Sequence, residues 1–316
     1  LVYMRYFSMR SEALRTAMAE NSDAGDYSPT DEAAKVLKEN QTYLQGMLRG
    51  TRIAECDFGI EYELGVGALL PHLGEMRAAA RLFNMEARRL LVEGDRKGAA
   101  EHLAAIFRLA EHLREDGLLI SSLVSVAIHS LGVQSVTNLI NADRIGPAEV
   151  RVILKAVEAV NTTDLGGVEA SIRGEKEVFL GSLGKFADEP KRSREFKELL
   201  SLMDVDQNVS ELLGALDSDD LRSQIEEAGR AYDEAMDAWD APDAIERLEA
   251  IGEQTAAGNY GLLAETFLPS LPRSYKAQRQ CLGELAVFKT LLRSKVGNVE
   301  NAGTPRDGVG SAMPER

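Results

Sequence analysis

The sequence is poor in cysteine and proline and has no long uninterrupted apolar run. Two cysteines, Cys56 and Cys281, are too few and too far apart to define a disulfide scaffold or a zinc motif. We expect two buried thiols, with one disulfide bridge as the alternative if the protein is exported. The most apolar stretch, residues 118–140, is interrupted by serines, His129 and Gln134. It is therefore predicted to be a buried helix rather than a membrane span.

Positive charge is also scarce: 36 Lys and Arg stand against 51 Asp and Glu, a net charge of −15. This balance disfavours nucleic acid and anionic lipid as general partners, and we expect no nucleic-acid binding. The best candidate for a basic patch is the short run Lys191, Arg192 and Arg194. Between Glu211 and Gln254, 14 acidic residues face 3 arginines and no lysine, a local charge of −11. A partner, if there is one, is expected to be another protein that presents a basic patch.

Strand signals are almost absent, because alternating runs of β-branched residues hardly occur. Apolar residues instead recur every three to four positions, which predicts amphipathic helices. One helix is predicted to begin with Ser28 as its cap and Pro29 in its first turn, and the last to begin at Pro272. The sequence predicts an all-α protein of antiparallel helical hairpins, forming an irregular bundle or a short solenoid-like array. Breaks between helices are predicted at Gly50, Gly94-Asp95, Gly117 and Gly146-Pro147.

Four segments are predicted from these patterns. Residues 1–27 form a lead segment, and residues 28–186 form a core of helical hairpins. Residues 187–296 form an acidic helical second half packed on the first, because the polar stretch around Pro190 marks a boundary. Residues 297–316 are polar and aperiodic and are expected to be disordered. The chain opens at Leu1 without an initiator Met, so a missing upstream segment, such as a signal or anchor, is one expectation.

The sequence contains only incomplete versions of familiar chemical motifs. Residues 181–185 resemble a phosphate loop but have two residues between the glycines instead of four. Asp204, Asp206 and Asn208 match the first ligands of a calcium loop, yet Val209 occupies the position of the required Gly. The four histidines do not share a helix face at a spacing of four, and no Glu-x-x-His pair occurs. We therefore predict no catalytic residue, no cofactor and no metal site.

One candidate surface is acidic. Asp233, Asp237 and Asp240 lie at i, i+4 and i+7 of a predicted helix, opposite an apolar stripe that ends at Trp239. The favoured interpretation is a solvated helix face. The alternatives are a binding surface for a basic protein, or carboxylates that hold a divalent cation.

A second candidate lies inside the apolar helix of residues 118–140. Ser125, His129 and Gln134 are predicted to form a buried polar cluster. Buried polar groups need hydrogen-bond partners. Those partners are either other groups of the bundle or a small ligand held between helices.

Six segments of the first half, within roughly residues 35–145, share one further property: they are 56–58, 61–65, 69–73, 77–83, 93–113 and 118–124. Together they resemble a family of uncharacterised helical proteins from bacteria, which often carry an N-terminal membrane anchor. It implies an extracytoplasmic or membrane-anchored location through an upstream segment, with the cytoplasm as the alternative, and it implies no known activity. The helix–Gly94-Asp95–helix unit is also similar to a tetratricopeptide hairpin, although no regular repeat of about 34 residues is present.

These patterns favour a non-enzymatic helical interaction or scaffold protein. A domain that binds a small ligand or senses one is the first alternative. An enzyme with an unrecognised site is the second.

Overall fold

The computed structural model of the chain describes residues 2–20, 28–62, 69–187, 212–268 and 271–302. Within these ranges it contains fourteen α-helices and no strand, which confirms the predicted all-α class. The helices are α1 Met4–Phe7, α2 Glu12–Glu20, α3 Asp31–Glu39, α4 Gln41–Gly50, α5 Pro71–Glu93, α6 Arg96–Leu113, α7 Leu119–Asn141, α8 Pro147–Glu158, α9 Val168–Glu175, α10 Gly181–Ala187, α11 Ser218–Trp239, α12 Ala244–Ala256, α13 Gly261–Phe267 and α14 Leu271–Ala302.

Helix α6 lies at the centre of the bundle. From Ala99 to Leu113 every residue of this helix is buried or half-buried, and helices α5, α7 and α8 pack around it. Its small side chains permit this close approach from several directions, because an alanine keeps the helix axes near each other. The buried alanines are Ala99, Ala100, Ala104, Ala105 and Ala110.

The turn between α5 and α6 forms as its residues predict. Gly94 adopts the left-handed conformation (φ 86°), and the Asp95 amide donates to the Leu90 carbonyl at 2.9 Å. Only glycine takes this backbone conformation at little cost, which is why it ends the helix. The Asp95 carboxylate then accepts from the Gly98 amide at 2.9 Å and caps α6. The two helices therefore form the predicted antiparallel hairpin.

Helix α7 approaches α6 at a glycine. A Cβ atom on Gly132 would lie 2.8 Å from Cζ of Phe107, and the Phe107 side chain is fully buried. The α6–α7 distance is therefore set by the absence of a side chain at this position.

The last helix joins the two halves of the chain. Helix α14 packs on α7 and α8 and also on α12, and the Phe288 ring stacks on Phe107 with centroids 6.0 Å apart. Buried Cys281 lies in the same contact, where the Ser130 hydroxyl is 3.3 Å from its sulfur. Both cysteines are free thiols, Cys281 buried and Cys56 half-buried, so the alternative disulfide is not formed.

Three predicted boundaries are corrected. Thr30, not Ser28, caps α3, because its side chain accepts from the Ala33 amide and the helix begins at Asp31. The predicted helix up to Gly50 is two helices, separated at Asn40. Helix α14 continues to Ala302, past Gly297, where the disordered tail was predicted to begin. Residues 303–316 and the predicted boundary around Pro190 lie outside the described residues.

Helix α7 is the one helix in the described parts of the chain that is long and apolar enough to cross a membrane by length and composition. Of its most apolar window, 56% is buried inside the bundle. A core helix of a globular protein passes the same test, so its position between α5, α6 and α14 accounts for its composition.

A half-buried carboxylate lies at the start of α7. Glu175, the last residue of α9, accepts a hydrogen bond from the Leu119 amide at 2.9 Å. Burial raises the pKa of Glu175 to about 7, although the Leu119 hydrogen bond opposes that shift. A π-helical turn, Lys176–Leu180, follows immediately and leads into α10. The carboxylate is therefore ionised only at an energetic cost.

Gly132→Ala is predicted to destabilise the protein by about 1–3 kcal/mol, because the new methyl group overpacks the contact with Phe107. The matched control is Gly283→Ala in α14, where a Cβ meets no atom within 4 Å. That change should stabilise the protein by about 0.5–1 kcal/mol through helix propensity. Urea denaturation of both variants checks the prediction, and equal effects of the same sign would contradict the α6–α7 contact.

Glu175→Gln is predicted to stabilise the protein above pH 7, and progressively less towards pH 5. Between the unfolded pKa and the raised folded pKa, the folded state binds more protons, so stability falls as pH rises through this window. Glutamine keeps the acceptor for Leu119 and removes the titration. Denaturation midpoints from pH 5 to 8 test this prediction. The control is Glu177→Gln, an exposed residue in the π-helical turn that follows Glu175. A stability difference that does not change with pH would contradict the prediction.

Candidate functional site

The three predicted acidic residues lie on one exposed face of α11. Asp233, Asp237 and Asp240 are all exposed, whereas Tyr232 and Trp239 are buried on the opposite face. Helix α11 packs against α12 and α13 and also against α9 and α10. Its Trp239 ring meets the Tyr275 ring of α14 edge-on at 4.9 Å. Because the apolar face is occupied, this helix offers partners only its charged side.

The neighbouring carboxylates differ in whether they are already paired. Asp233 forms an ion pair with Lys176, and Glu234 accepts a hydrogen bond from the Tyr260 hydroxyl. Asp237 and Asp240 have no ion-pair partner among the residues that the structure describes. The predicted triad is therefore one paired carboxylate followed by two unpaired ones.

Asp237 and Asp240 also stand at an unfavourable end of the helix. Asp240 is the C-terminal cap of α11, and the last turn contains no basic residue. The carbonyl ends of a helix carry partial negative charge, so carboxylates near them are repelled. The N-terminus shows the favourable arrangement, since Asp217 caps it and Asp219 and Asp220 lie in the first turn.

We define the acidic surface as the exposed carboxylates without an ion-pair partner in the described ranges that lie at the C-terminal end of α11, in the loop after it and in α12. No group of three His, Cys, Asp or Glu side chains in the described ranges is arranged to hold a metal ion. The surface therefore presents spread negative charge rather than a chelating cluster. Its members are Asp237, Asp240, Asp243, Glu246 and Glu253.

The predicted cluster of Ser125, His129 and Gln134 is only partly correct. The Ser125 hydroxyl donates to the Ala110 carbonyl at 2.7 Å, and His129 Nε2 lies 3.1 Å from the Glu111 carboxylate. Gln134 is exposed, because five residues turn a helix by about 500° and carry its side chain away from His129. The two buried groups thus bond to α6, which supports the alternative that their partners belong to the bundle.

The Glu111 carboxylate contacts groups from several elements around His129. One oxygen meets His129, and the other accepts from the Asn161 amide at 3.2 Å and lies 3.6 Å from Nε of Arg114. The same carboxylate therefore joins α6 to α7 and to the turn after α8. His129 Nδ1 is buried and has no hydrogen-bond partner among the described residues.

A second set of polar residues, which the sequence analysis did not predict, lies where α5 begins and α6 ends. The buried His72 imidazole is 2.8 Å from the Asp116 carboxylate, and the Phe58 ring stacks on it at 4.3 Å. The Tyr3 hydroxyl is 2.7 Å from His112 Nδ1. His72 and Asp116 are 44 positions apart in the sequence, and Tyr3 and His112 are 109 apart. No local sequence pattern therefore reveals the cluster.

The hydrogen bonds fix the protonation of His112. Its Nε2 lies 2.9 Å from the Ile53 carbonyl, which can only accept, so Nε2 carries the proton and Nδ1 accepts from Tyr3. Burial lowers the pKa of His112, which keeps this imidazole neutral. The tyrosine, the imidazole and the carbonyl form one satisfied chain that ties the loop after α4 to α6.

Cys56 lies beside this cluster, with its amide 3.5 Å from the Glu115 carboxylate. Burial, with smaller contributions from the charges of Asp116 and Glu115, raises the pKa of its thiol to about 12. A thiol with this pKa is protonated at neutral pH and is a poor nucleophile. The arrangement has the residue types of a cysteine–histidine–aspartate site, but its electrostatics hold the sulfur in the unreactive form.

Some predicted features lie outside the described residues: the basic run Lys191, Arg192 and Arg194, and the calcium-loop lookalike of Asp204, Asp206 and Asn208. The phosphate-loop lookalike is described and lies within α10, so it is helix rather than loop. A phosphate loop follows a strand and wraps its ligand with non-helical backbone.

No family model, curated protein or solved structure matches this chain significantly. The fold and the geometry define the class as an all-α helical bundle with an acidic surface on its second half. The resemblance to bacterial helical proteins, their anchor and their location remain expectations.

The double variant Asp237→Asn with Asp240→Asn is predicted to stabilise the protein by about 0.5–1 kcal/mol, since it removes repulsion at the C-terminus of α11. The control Asp219→Asn with Asp220→Asn removes two charges from the first turn of the same helix. The control should destabilise the protein by a similar amount. Thermal denaturation at low salt measures both. Equal shifts of the same sign would show that net charge, not position on the helix, decides the effect.

Proposed function

We propose that this protein is a non-enzymatic interaction module whose acidic surface binds a basic segment of another protein. One observation carries this proposal: Asp237 and Asp240 are exposed and unpaired at the helix end where carboxylates are disfavoured. Charges held at a cost to stability are typical of binding surfaces, because a partner of opposite charge removes the cost on binding.

The distribution of charge supports the same proposal. Residues 211–254 hold 14 acidic side chains and 3 arginines, so this segment carries −11 of the total charge of −15. Within it, Asp219 pairs with Arg222, and Glu249 pairs with Lys276 of α14. The remaining carboxylates of α11 and α12 create a field of one sign, which attracts a cationic partner and accelerates its association.

The acidic surface is charged and has no apolar stripe, which determines the affinity and kinetics that we expect of the complex. The buried faces of α11 and α12 leave no apolar stripe for a hydrophobic contact, since Leu221, Tyr232 and Leu248 all point into the core. Exposed ion pairs contribute little individually and are screened by salt. We therefore expect fast, salt-sensitive binding of moderate affinity rather than a permanent assembly.

The buried polar clusters support a structural role for His72, His112 and His129 rather than a catalytic one. His72 bonds to Asp116, His112 to Tyr3 and Ile53, and His129 to Glu111, so each ring is engaged inside the bundle. The Cys56 thiol is kept protonated by its raised pKa. These groups therefore hold helices together at points where the chain changes direction.

Binding to a fluorescent lysine-rich peptide tests the proposal, measured by anisotropy at several salt concentrations. Neutralising Asp237, Asp240, Glu246 and Glu253 to Asn or Gln is predicted to weaken binding by about tenfold or more and to flatten its salt dependence.

The control neutralises the same number of exposed carboxylates elsewhere: Glu39, Glu55, Glu61 and Glu177 to Gln. It should reduce affinity by no more than about threefold, because these charges are spread over other faces. Equal losses in the two variants would show that only net charge matters, and the acidic surface would then not be a site. Failure of the unchanged protein to bind the peptide at low salt would also contradict the proposal.

A further inference from the structure

A cleft lies on the other half of the molecule, between α4 and the hairpin of α5 and α6. It has a volume of about 350 Å³ and is lined mainly by polar side chains. This volume is at the lower end of the range for small-molecule sites. The residues that define its chemistry are Gln41, Glu86, Leu90, Lys97, Glu101 and His102.

The floor of the cleft is rich in hydrogen-bond acceptors. Glu86 is fully buried and receives two hydrogen bonds from the Arg89 guanidinium, both at 2.7 Å, and one from the Gln41 amide at 2.8 Å. A carboxylate can accept about four hydrogen bonds, so Glu86 keeps acceptor capacity. The charge of Glu86 is balanced by Arg89, which explains how it can be buried here.

His102 adds an acceptor without a donor. Its ring is 2% exposed, and Nδ1 lies 2.8 Å from the Gly98 carbonyl, so Nδ1 carries the proton. Burial lowers the pKa of His102 and keeps the ring neutral. Its Nε2 lone pair is then buried without a hydrogen-bond partner among the described residues. A buried acceptor in this state is costly and favours a ligand that brings an N–H donor.

The rim of the cleft carries an unpaired cation. Lys97 and Glu101 are four residues apart on α6, where they could pair with each other. Glu101 instead pairs with Arg52 at 2.7 Å, which leaves Lys97 exposed and without an ion-pair partner in the described ranges. The ammonium group of Lys97 is therefore available for an anionic group of a ligand.

We infer that this cleft binds a free α-amino acid with an aliphatic side chain. The ligand ammonium group supplies N–H donors to the acceptors on the floor, and its carboxylate pairs with Lys97. Leu48 and Leu90, both buried, form the apolar part of the wall and face an aliphatic side chain. The inference is independent of the acidic surface, which lies on α11 and α12, so either can fail without the other.

Isothermal titration of the full chain with L-leucine and L-valine tests the inference, with two fragments as controls. Isoamylamine keeps the ammonium group and lacks the carboxylate, whereas isovalerate has the reverse. We expect saturable binding of at least one amino acid, and binding of both fragments weaker by about tenfold or more, since each loses one charged hydrogen bond.

Lys97→Gln is expected to reduce amino-acid affinity by about tenfold and to leave the denaturation midpoint of the free protein unchanged. Lys155→Gln, an exposed lysine on α8, is the matched control and should bind as the unchanged protein does. The inference is overturned if neither amino acid binds at millimolar concentration, if a fragment binds as tightly, or if Lys97→Gln binds normally.

Discussion

The burial of α6 is the constraint on which the rest of the structure depends. A helix enclosed by α5, α7 and α8 must present apolar or small side chains in every direction, and any polar group on it needs a partner. The alanines and Phe107 meet the first requirement. Glu111 and His112 meet the second, each through bonds to specific groups beside the helix. His102 meets it with Nδ1 only, since its Nε2 has no partner among the described residues.

This constraint decides which polar residues serve the fold and which are free for binding. Ser125 and His129 face α6 and hydrogen-bond to Ala110 and Glu111, and the Tyr3 hydroxyl hydrogen-bonds to the next residue of the helix, His112. The groups available to a partner lie mostly at the periphery: Lys97 at the start of α6, and the carboxylates of α11 and α12. The exceptions are Glu86 and Nε2 of His102, two buried acceptors on the floor of the cleft. The acidic surface therefore lies outside the core, whereas the cleft reaches two acceptors of the core, Glu86 and His102.

Local rules predicted the helices well and the site poorly. The left-handed conformation of Gly94 and the cap formed by Asp95 depend on neighbouring residues only, so the hairpin could be predicted. The sequence offers both Ser28 and Thr30 as the N-cap of α3, and only the backbone geometry shows that Thr30 is the cap. The exposed position of Asp237 follows from helical periodicity. The contacts between His72 and Asp116, and between Tyr3 and His112, join distant segments, and no pattern in one sequence encodes them.

The described helices share one core, and α14 joins the acidic second half to α7 and α8. Trp239, the single tryptophan, lies in that second half and reports its unfolding by fluorescence. Circular dichroism reports all helices, most of which lie in the first half. The most direct test is urea denaturation followed by both signals. One core predicts coincident transitions with the same midpoint. A tryptophan transition clearly separated from the loss of helix would contradict it.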